Sequence, residues 1–306
     1  MKTKSYLFLL VMLFALGITT FSCKKDKTTT PVNPVNPVDP SQNEITGFID
    51  GVFSISDSTM VYFSQGNLQY QASTNTWRFA ENQYDYIGND NANIASDYDG
   101  WIDLFGWGTS GYNHGAVCYQ PWSTSISNYD YDAYGDEYAN LHDQTGQADW
   151  GYNAISNGGG TTNTWRTLRY EEWAYVFNTR STSSGFRFAP AQVNDVNGMI
   201  VLPDNWNPDT YSLDGVNSYG SDYSTNTITA ENWSILESAG AVFLPAAGLR
   251  QVTQVDGVQY IGAYWSTTHA DNLEAAYVRF VDGGFDPGYP GLRCSGFSVR
   301  LVLEAQ

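Results

Sequence analysis

The chain has 306 residues and a formal charge of −18, and its five lysines all lie at or before Lys27. Residues 45–306 hold nine arginines against 29 acidic residues (32 in the whole chain, less Asp26, Asp39 and Glu44), a formal charge of −20. A surface of that sign repels nucleic-acid phosphates and anionic headgroups, which excludes nucleic acid as a partner and leaves glycans, peptides, proteins or calcium.

In chain order, Lys2 and Lys4 precede the apolar run YLFLLVMLFALGI, too short for a comfortable bilayer span and suited to a signal-peptide core. Thr20-Phe21-Ser22-Cys23 follows and resembles a lipobox, where signal peptidase II cuts and the cysteine is lipidated. An ordinary secretory signal with an incidental cysteine is the alternative. Residues 1–22 are expected to be a lipoprotein signal peptide, with Cys23 acylated and the membrane touched through that anchor only. Residues 23–44 contain PVN, PVN and PVD, and proline at every third position favours an extended polyproline tether. Together these predict an outer-membrane lipoprotein, on either the periplasmic or the cell-surface face.

Residues 45–306 are expected to form one domain. Between Gly51 and Phe79 short alternating runs (VFSIS, MVYFS, NLQYQ, TWRF) are broken by turn residues, the pattern of a β meander. Residues 84–160 are rich in Gly, Asn, Asp and Tyr without a sustained period, as long functional loops are. Two helices follow: LRYEEWAYVFNTR, with Thr167 as N-cap and Leu168, Trp173, Val176 and Phe177 on one face, and AENWSILESAG, capped by Thr229 and closed by Gly240. Strands are expected at 198–203, 241–248, 259–266, 275–281 and 296–303, with GGFDPGYPG (283–291) as a loop. Few helices and many strands make the class α+β with antiparallel pairing.

The acidic stretches NDNANIASDYD (89–99) and YDYDAYGDE (129–137) supply oxygen ligands of the kind calcium takes. The second begins like an EF-hand loop, but Tyr134 and Leu141 occupy ligand positions, so calcium stays possible without a motif. Cys118 and Cys294 can pair only if the fold brings them together.

Several segments together resemble a known family. Arg166-Thr-Leu-Arg-Tyr-Glu-Glu172-Trp173-Ala-Tyr175, the ending Gly262-Ala-Tyr-Trp265-Ser-Thr-Thr, and Arg293 through Gly296-Phe297-Ser298-Val299-Arg300 are similar to the C-type lectin-like fold of the formylglycine-generating (sulfatase-modifying factor) type. FSQGNLQY, TWRFAENQYDYIG and GWIDLFGWGTSG are similar to the front half of envelope lipoproteins with that fold. The resemblance covers most of residues 50–303.

The formylglycine-generating enzymes use a cysteine pair near the C-terminus to hold copper. Here Cys294 stands alone in that region, which removes the basis for oxidase activity. His114, His142 and His269 have no metal-ligand spacing, there is no G-x-S-x-G elbow, and NGGGTTN (157–163) lacks a phosphate-loop lysine. The chain is therefore expected not to be an enzyme. In target proteins of diversity-generating retroelements, which share the resemblance, the segment between the Tyr-Trp-Ser strand and the Gly-Phe-Ser-Val-Arg strand presents the ligand-binding side chains. Carried over by position, that implies His269, Asp271 and Asn272, with Phe285, Asp286 and Tyr289 from the following loop. The ligand would be a glycan or a protein. A structural or adhesive surface-fibre subunit is the alternative. Trp265 is expected in the core, and Arg293 and Arg300 are expected to satisfy carboxylates or carbonyls.

Overall fold

Alternating side chains build the first hairpins. In β1 (Phe53–Ser54), β2 (Met60–Phe63), β3 (Leu68–Gln71) and β4 (Thr76–Phe79), Phe53, Val61, Phe63, Leu68, Trp77 and Phe79 turn inward. The computed structural model describes residues 45–112 and 119–305. The leader, the tether, Cys23, His114 and Cys118 lie outside the described residues. After β4 comes the irregular segment, with short 3-10 turns at Gly88–Asn93, Asn128–Asp130 and Trp150–Tyr152 among the described residues. It is less a set of displayed loops than expected. Trp107, Leu141 and Trp150 are fully buried and join the cluster that also contains Trp265 and Phe297.

Strand β5 (Arg166–Thr167) leads into helix α1 (Tyr170–Ala174), which continues as a π turn over Tyr175–Thr179. The N-cap is Arg169 and not Thr167. The backbone N–H of Arg169 is taken by Glu172 at 2.8 Å, while Thr167 gives its hydroxyl and its N–H to the buried carboxylate of Asp149, at 2.6 and 2.8 Å. The expected apolar face is present: Leu168, Trp173, Val176 and Phe177 are all buried in one cluster. Next come β6 (Phe188–Val193), β7 (Val196–Val201), β8 (Thr227–Ile228), helix α2 (Ala230–Ser238) and β9 (Val242–Pro245). The Thr229 hydroxyl caps α2 by accepting the Asn232 N–H at 3.2 Å. The helix closes at Gly240, whose φ of +88° favours glycine.

The chain ends in β10 (Leu249–Gln251), β11 (Gln254–Asp256), β12 (Ile261–His269), β13 (Glu274–Val281), β14 (Gly284–Leu292) and β15 (Leu301–Glu304). Strand order is β1-β2-β15-β5 in one sheet, β8-β6-β7-β9 in a second and β12-β13-β14 in a third, with β3–β4 and β10–β11 as separate hairpins. Every pairing is antiparallel except β6 with β8. The class is α+β with strands predominating. Among the described residues no helix is long and apolar enough to cross a membrane.

The expected strand at 241–248 is strand only over Val242–Pro245, that at 259–266 runs instead from Ile261 to His269, and two departures are larger. GGFDPGYPG is not a loop: Gly284–Leu292 is an edge strand. Proline is tolerated there because an edge strand needs ladder donors on one side only. The run 296–303 becomes strand only from Leu301, since Gly296, Phe297 and Ser298 form isolated bridges to Arg250, Phe105 and Tyr264. Phe297, Val299 and Leu301 still alternate into one buried cluster.

Candidate functional site

Strand β12 carries the first group of candidate residues and is irregular where it matters. Trp265 pairs with Tyr277 and His269 with Ala275, so β12 has two more residues than β13 between these rungs. That bulge is held from several sides. Thr267 donates its N–H to Leu168 O (3.0 Å) and accepts the Leu141 N–H (3.0 Å), the Trp107 indole donates to Ser266 O (3.0 Å), and the Thr268 hydroxyl accepts the Tyr170 N–H (3.0 Å). Bulges re-aim the residues beyond them, and here the next residue is His269.

His269 is the last residue of β12, half-buried, with its N–H and Nδ1 at 3.1 and 2.9 Å from Asn140 Oδ1 and its ring edge-on to Tyr138 at 6.2 Å. Asp271 is exposed but serves the turn: its Oδ1 accepts the N–H groups of Leu273 and Glu274, both at 2.8 Å. Asn272 is half-buried beside it in the β12–β13 connection.

The second group lies along β14, and the structure divides it. Phe285 is a packing residue, 4.7, 5.1 and 5.2 Å from the rings of Phe177, Phe188 and Tyr219. Its register partner is Phe280, which is fully buried. Asp286 is a turn-type acceptor for Gly288 N–H at 2.9 Å. Tyr289 is 43% exposed, packs edge-on against Tyr277 at 5.8 Å, and has the Arg279 guanidinium 5.2 Å from its ring. His269, Asn272 and Tyr289 therefore present surface, Phe285 is partly buried and packs against the core, and Asp271 and Asp286 shape the backbone.

Arg293 fixes this rim. Its side chain is fully buried, 4.7 Å over the Trp107 ring, and donates to Asp132 Oδ1 (3.2 Å) and to the carbonyls of Glu137 (2.6 Å), Asp271 (2.5 Å) and Glu274 (3.3 Å). One guanidinium thus ties the β12–β13 connection to the segment 132–137. Asn128 Oδ1 adds a contact by accepting the Cys294 N–H at 3.1 Å. Tyr129, Tyr138 and Leu292, next to these ties in sequence, are 61%, 59% and 41% exposed. The tyrosines of 129–138 were missed as surface candidates because that acidic stretch reads first as oxygen ligands. Its carboxylates have other work: Asp132 pairs with Arg293 and Asp136 accepts the Tyr138 N–H.

Electrostatics here are those of a packed surface. Burial raises the Asp132 pKa, opposed by the Arg293 charge. Burial also pushes the Cys294 thiol up, the opposite of a thiolate prepared for a soft metal or for attack. Cys294 has no disulfide among the described residues. No group of three or more His, Cys, Asp or Glu residues suited to a metal ion occurs among the described residues. Trp265 is fully buried, and Arg300 donates to Phe243 O and Gln83 Oε1, as expected of both. No protein-family model, no curated protein and no solved structure matches this chain.

Proposed function

We propose that the chain is a lipid-anchored, non-catalytic binding protein of the bacterial cell envelope, built on a C-type lectin-like domain of the sulfatase-modifying-factor type. It displays the rim around His269, Asn272 and Tyr289 to a ligand. The carrying observation is that exposed tyrosines stand on backbone held by a fully buried arginine with four oxygen partners. Tyrosine on a rigid support gives contact area at little entropic cost. Of the two ligand classes considered, protein is favoured over glycan, because the exposed aliphatic Leu292 near the tyrosines suits an apolar partner surface and offers nothing to sugar hydroxyls.

Arrays of extracellular proteins and of glycans, probed with the purified protein, test this. The protein spots should bind, and an Asn272→Ala, Tyr289→Ala double variant should lose about 30-fold in affinity, as expected for a tyrosine hot spot worth ~2 kcal/mol. Binding that survives the double variant would take these residues out of the site. The anchor is tested separately. Cys23→Ala should abolish incorporation of labelled palmitate and release the protein from the membrane fraction; retention with label intact would refute lipidation there.

A further inference from the structure

A cleft lined by other residues lies elsewhere on the domain. Its floor is the β3–β4 hairpin, where Leu68, Tyr70, Trp77 and Phe79 face the core and the directly opposed pair Gln69 and Arg78 face the other way. The cleft measures about 550 Å³, within the ~300–1,000 Å³ range of small-ligand sites. Its far wall is the segment Tyr84–Ile87, and the turn joining β6 to β7 contributes Asn194.

The walls are set in advance. Ile87 N–H is held by the buried Asp103 carboxylate at 2.9 Å. Gln259 Nε2 donates to the Tyr86 hydroxyl (3.0 Å) and to Asp195 O (3.2 Å), which ties the tyrosine wall to the hairpin turn. Asn194 and Asp195 take φ of +48° and +63°, as a tight two-residue turn requires.

The floor, by contrast, has unused hydrogen-bonding groups. Gln69 is only 3% exposed; its Oε1 accepts from Arg78 Nε at 2.8 Å, while its amide nitrogen has no partner among the described residues. Arg78 lies 3.8 Å over the Trp101 ring, and neither of its terminal nitrogens has a partner among the described residues. The Glu81 carboxylate at the edge is equally unpaired there, and Asp85 adds a second carboxylate whose Oδ2 already accepts the backbone and side-chain N–H groups of Asn82 (2.9 and 3.0 Å). None of these nitrogens is a sealed, unsatisfied donor of the interior; they open into the cleft, so a ligand that accepts from them replaces water at its floor.

We propose that this cleft binds a neutral saccharide. Sugar hydroxyls both donate and accept, which matches donors from Arg78 and Gln69 set against acceptors from Glu81 and Asp85. The rings of Tyr84 and Tyr86 supply apolar faces for the C–H side of a pyranose. An anionic ligand would gain from Arg78 but would meet Glu81, Asp85 and a domain of charge −20. The site shares no residue with the rim, so it stands or falls independently of the protein-binding reading.

Isothermal titration of the full-length protein in detergent, with cello-, xylo-, manno- and chito-oligosaccharides as probes and a galacturonan oligosaccharide as the acidic control, tests the assignment. At least one neutral probe should bind. Glu81→Gln, which disturbs no bond among the described residues, should weaken it about tenfold or more, as loss of a charged acceptor does. Arg78→Met should do the same, and Tyr289→Ala should leave the affinity unchanged. If Arg78→Met unfolds, Glu81→Gln decides. No heat from any neutral probe, affinity unmoved by Glu81→Gln, affinity lost in Tyr289→Ala, or preference for the galacturonan would each overturn the proposal.

Discussion

Arg293→Met should lower the unfolding free energy by about 3–5 kcal/mol, the cost of breaking a buried ion pair by removing one partner. Methionine keeps most of the stem volume, so the loss isolates the guanidinium and not the packing. Left behind are Asp132, whose side chain is 21% exposed, and the carbonyls of Glu137, Asp271 and Glu274. Asp132 loses its ion-pair partner and the Glu137 and Asp271 carbonyls lose their donor, while the Glu274 carbonyl keeps the N–H groups of Ala270 (2.9 Å) and Asp271 (3.2 Å). Without the arginine charge, burial and the nearby carboxylates of Glu137, Asp136 and Asp130 act on Asp132 unopposed and carry its pKa further upward. The half-exposed pair of Arg166 with Glu304 provides the contrast. Removing that carboxylate should cost under about 1 kcal/mol. Urea unfolding measures both changes, and hydrogen exchange locates the first: amides 132–138 and 270–274 should lose protection together. A loss below ~1 kcal/mol for Arg293→Met, or exchange that stays protected in either segment, would mean that the rim is held by something else.

How much of this was legible in the sequence depends on whether the cause of an element is local. Helix α2 was legible because its cap, Thr229, its first-turn Glu231 and its closing Gly240 lie within the helix's own reach. The strands of the β12–β13 hairpin were legible from their apolar content. The start of α1 was not, because Thr167 is a good cap by type yet is engaged by Asp149, which lies outside the helical stretch. Strand β14 was hidden by composition: Pro287 and Pro290 with three glycines read as a loop, and only the position at the sheet edge makes them acceptable. The core role of residues 84–160 was hidden for the opposite reason, since Trp107, Leu141 and Trp150 are buried from irregular backbone that has no period to read. At the candidate rim, place in the resembled fold implied binding for all six positions. Only register and packing separate Tyr289, which stays exposed, from Phe285, which is partly buried against the rings of Phe177 and Phe188.

The stability of the domain should rise when the pH is lowered from 7 to about 5, the reverse of ordinary acid sensitivity. Asp103 is fully buried, and desolvation pushes its pKa up to about 6 from 3.8, outweighing the N–H groups of Ile87 and Asn91 that favour the anion. A carboxyl whose folded pKa is raised binds its proton more tightly in the folded state. It therefore adds stability below the unfolded pKa, and that stability is lost as pH climbs through the folded one. For a displacement of two units the full span is about 3 kcal/mol, with roughly 1 kcal/mol of it recovered between pH 7 and pH 5. Asp149, fully buried and likewise raised, adds in the same direction. So does the relief of self-repulsion as a surface of charge −20 takes up protons. His142 opposes them: burial and Arg169 lower its pKa, so its share is lost as pH falls below the ordinary histidine range. One imidazole against two buried carboxyls leaves the balance with the acids. Urea unfolding at intervals between pH 4 and pH 8 reads the slope directly, and a titration of the Asp103 carboxyl carbon by NMR assigns it. A midpoint for Asp103 at or below 4, or a stability that climbs steadily from pH 5 to pH 7, would show that its two N–H donors hold the anion against burial.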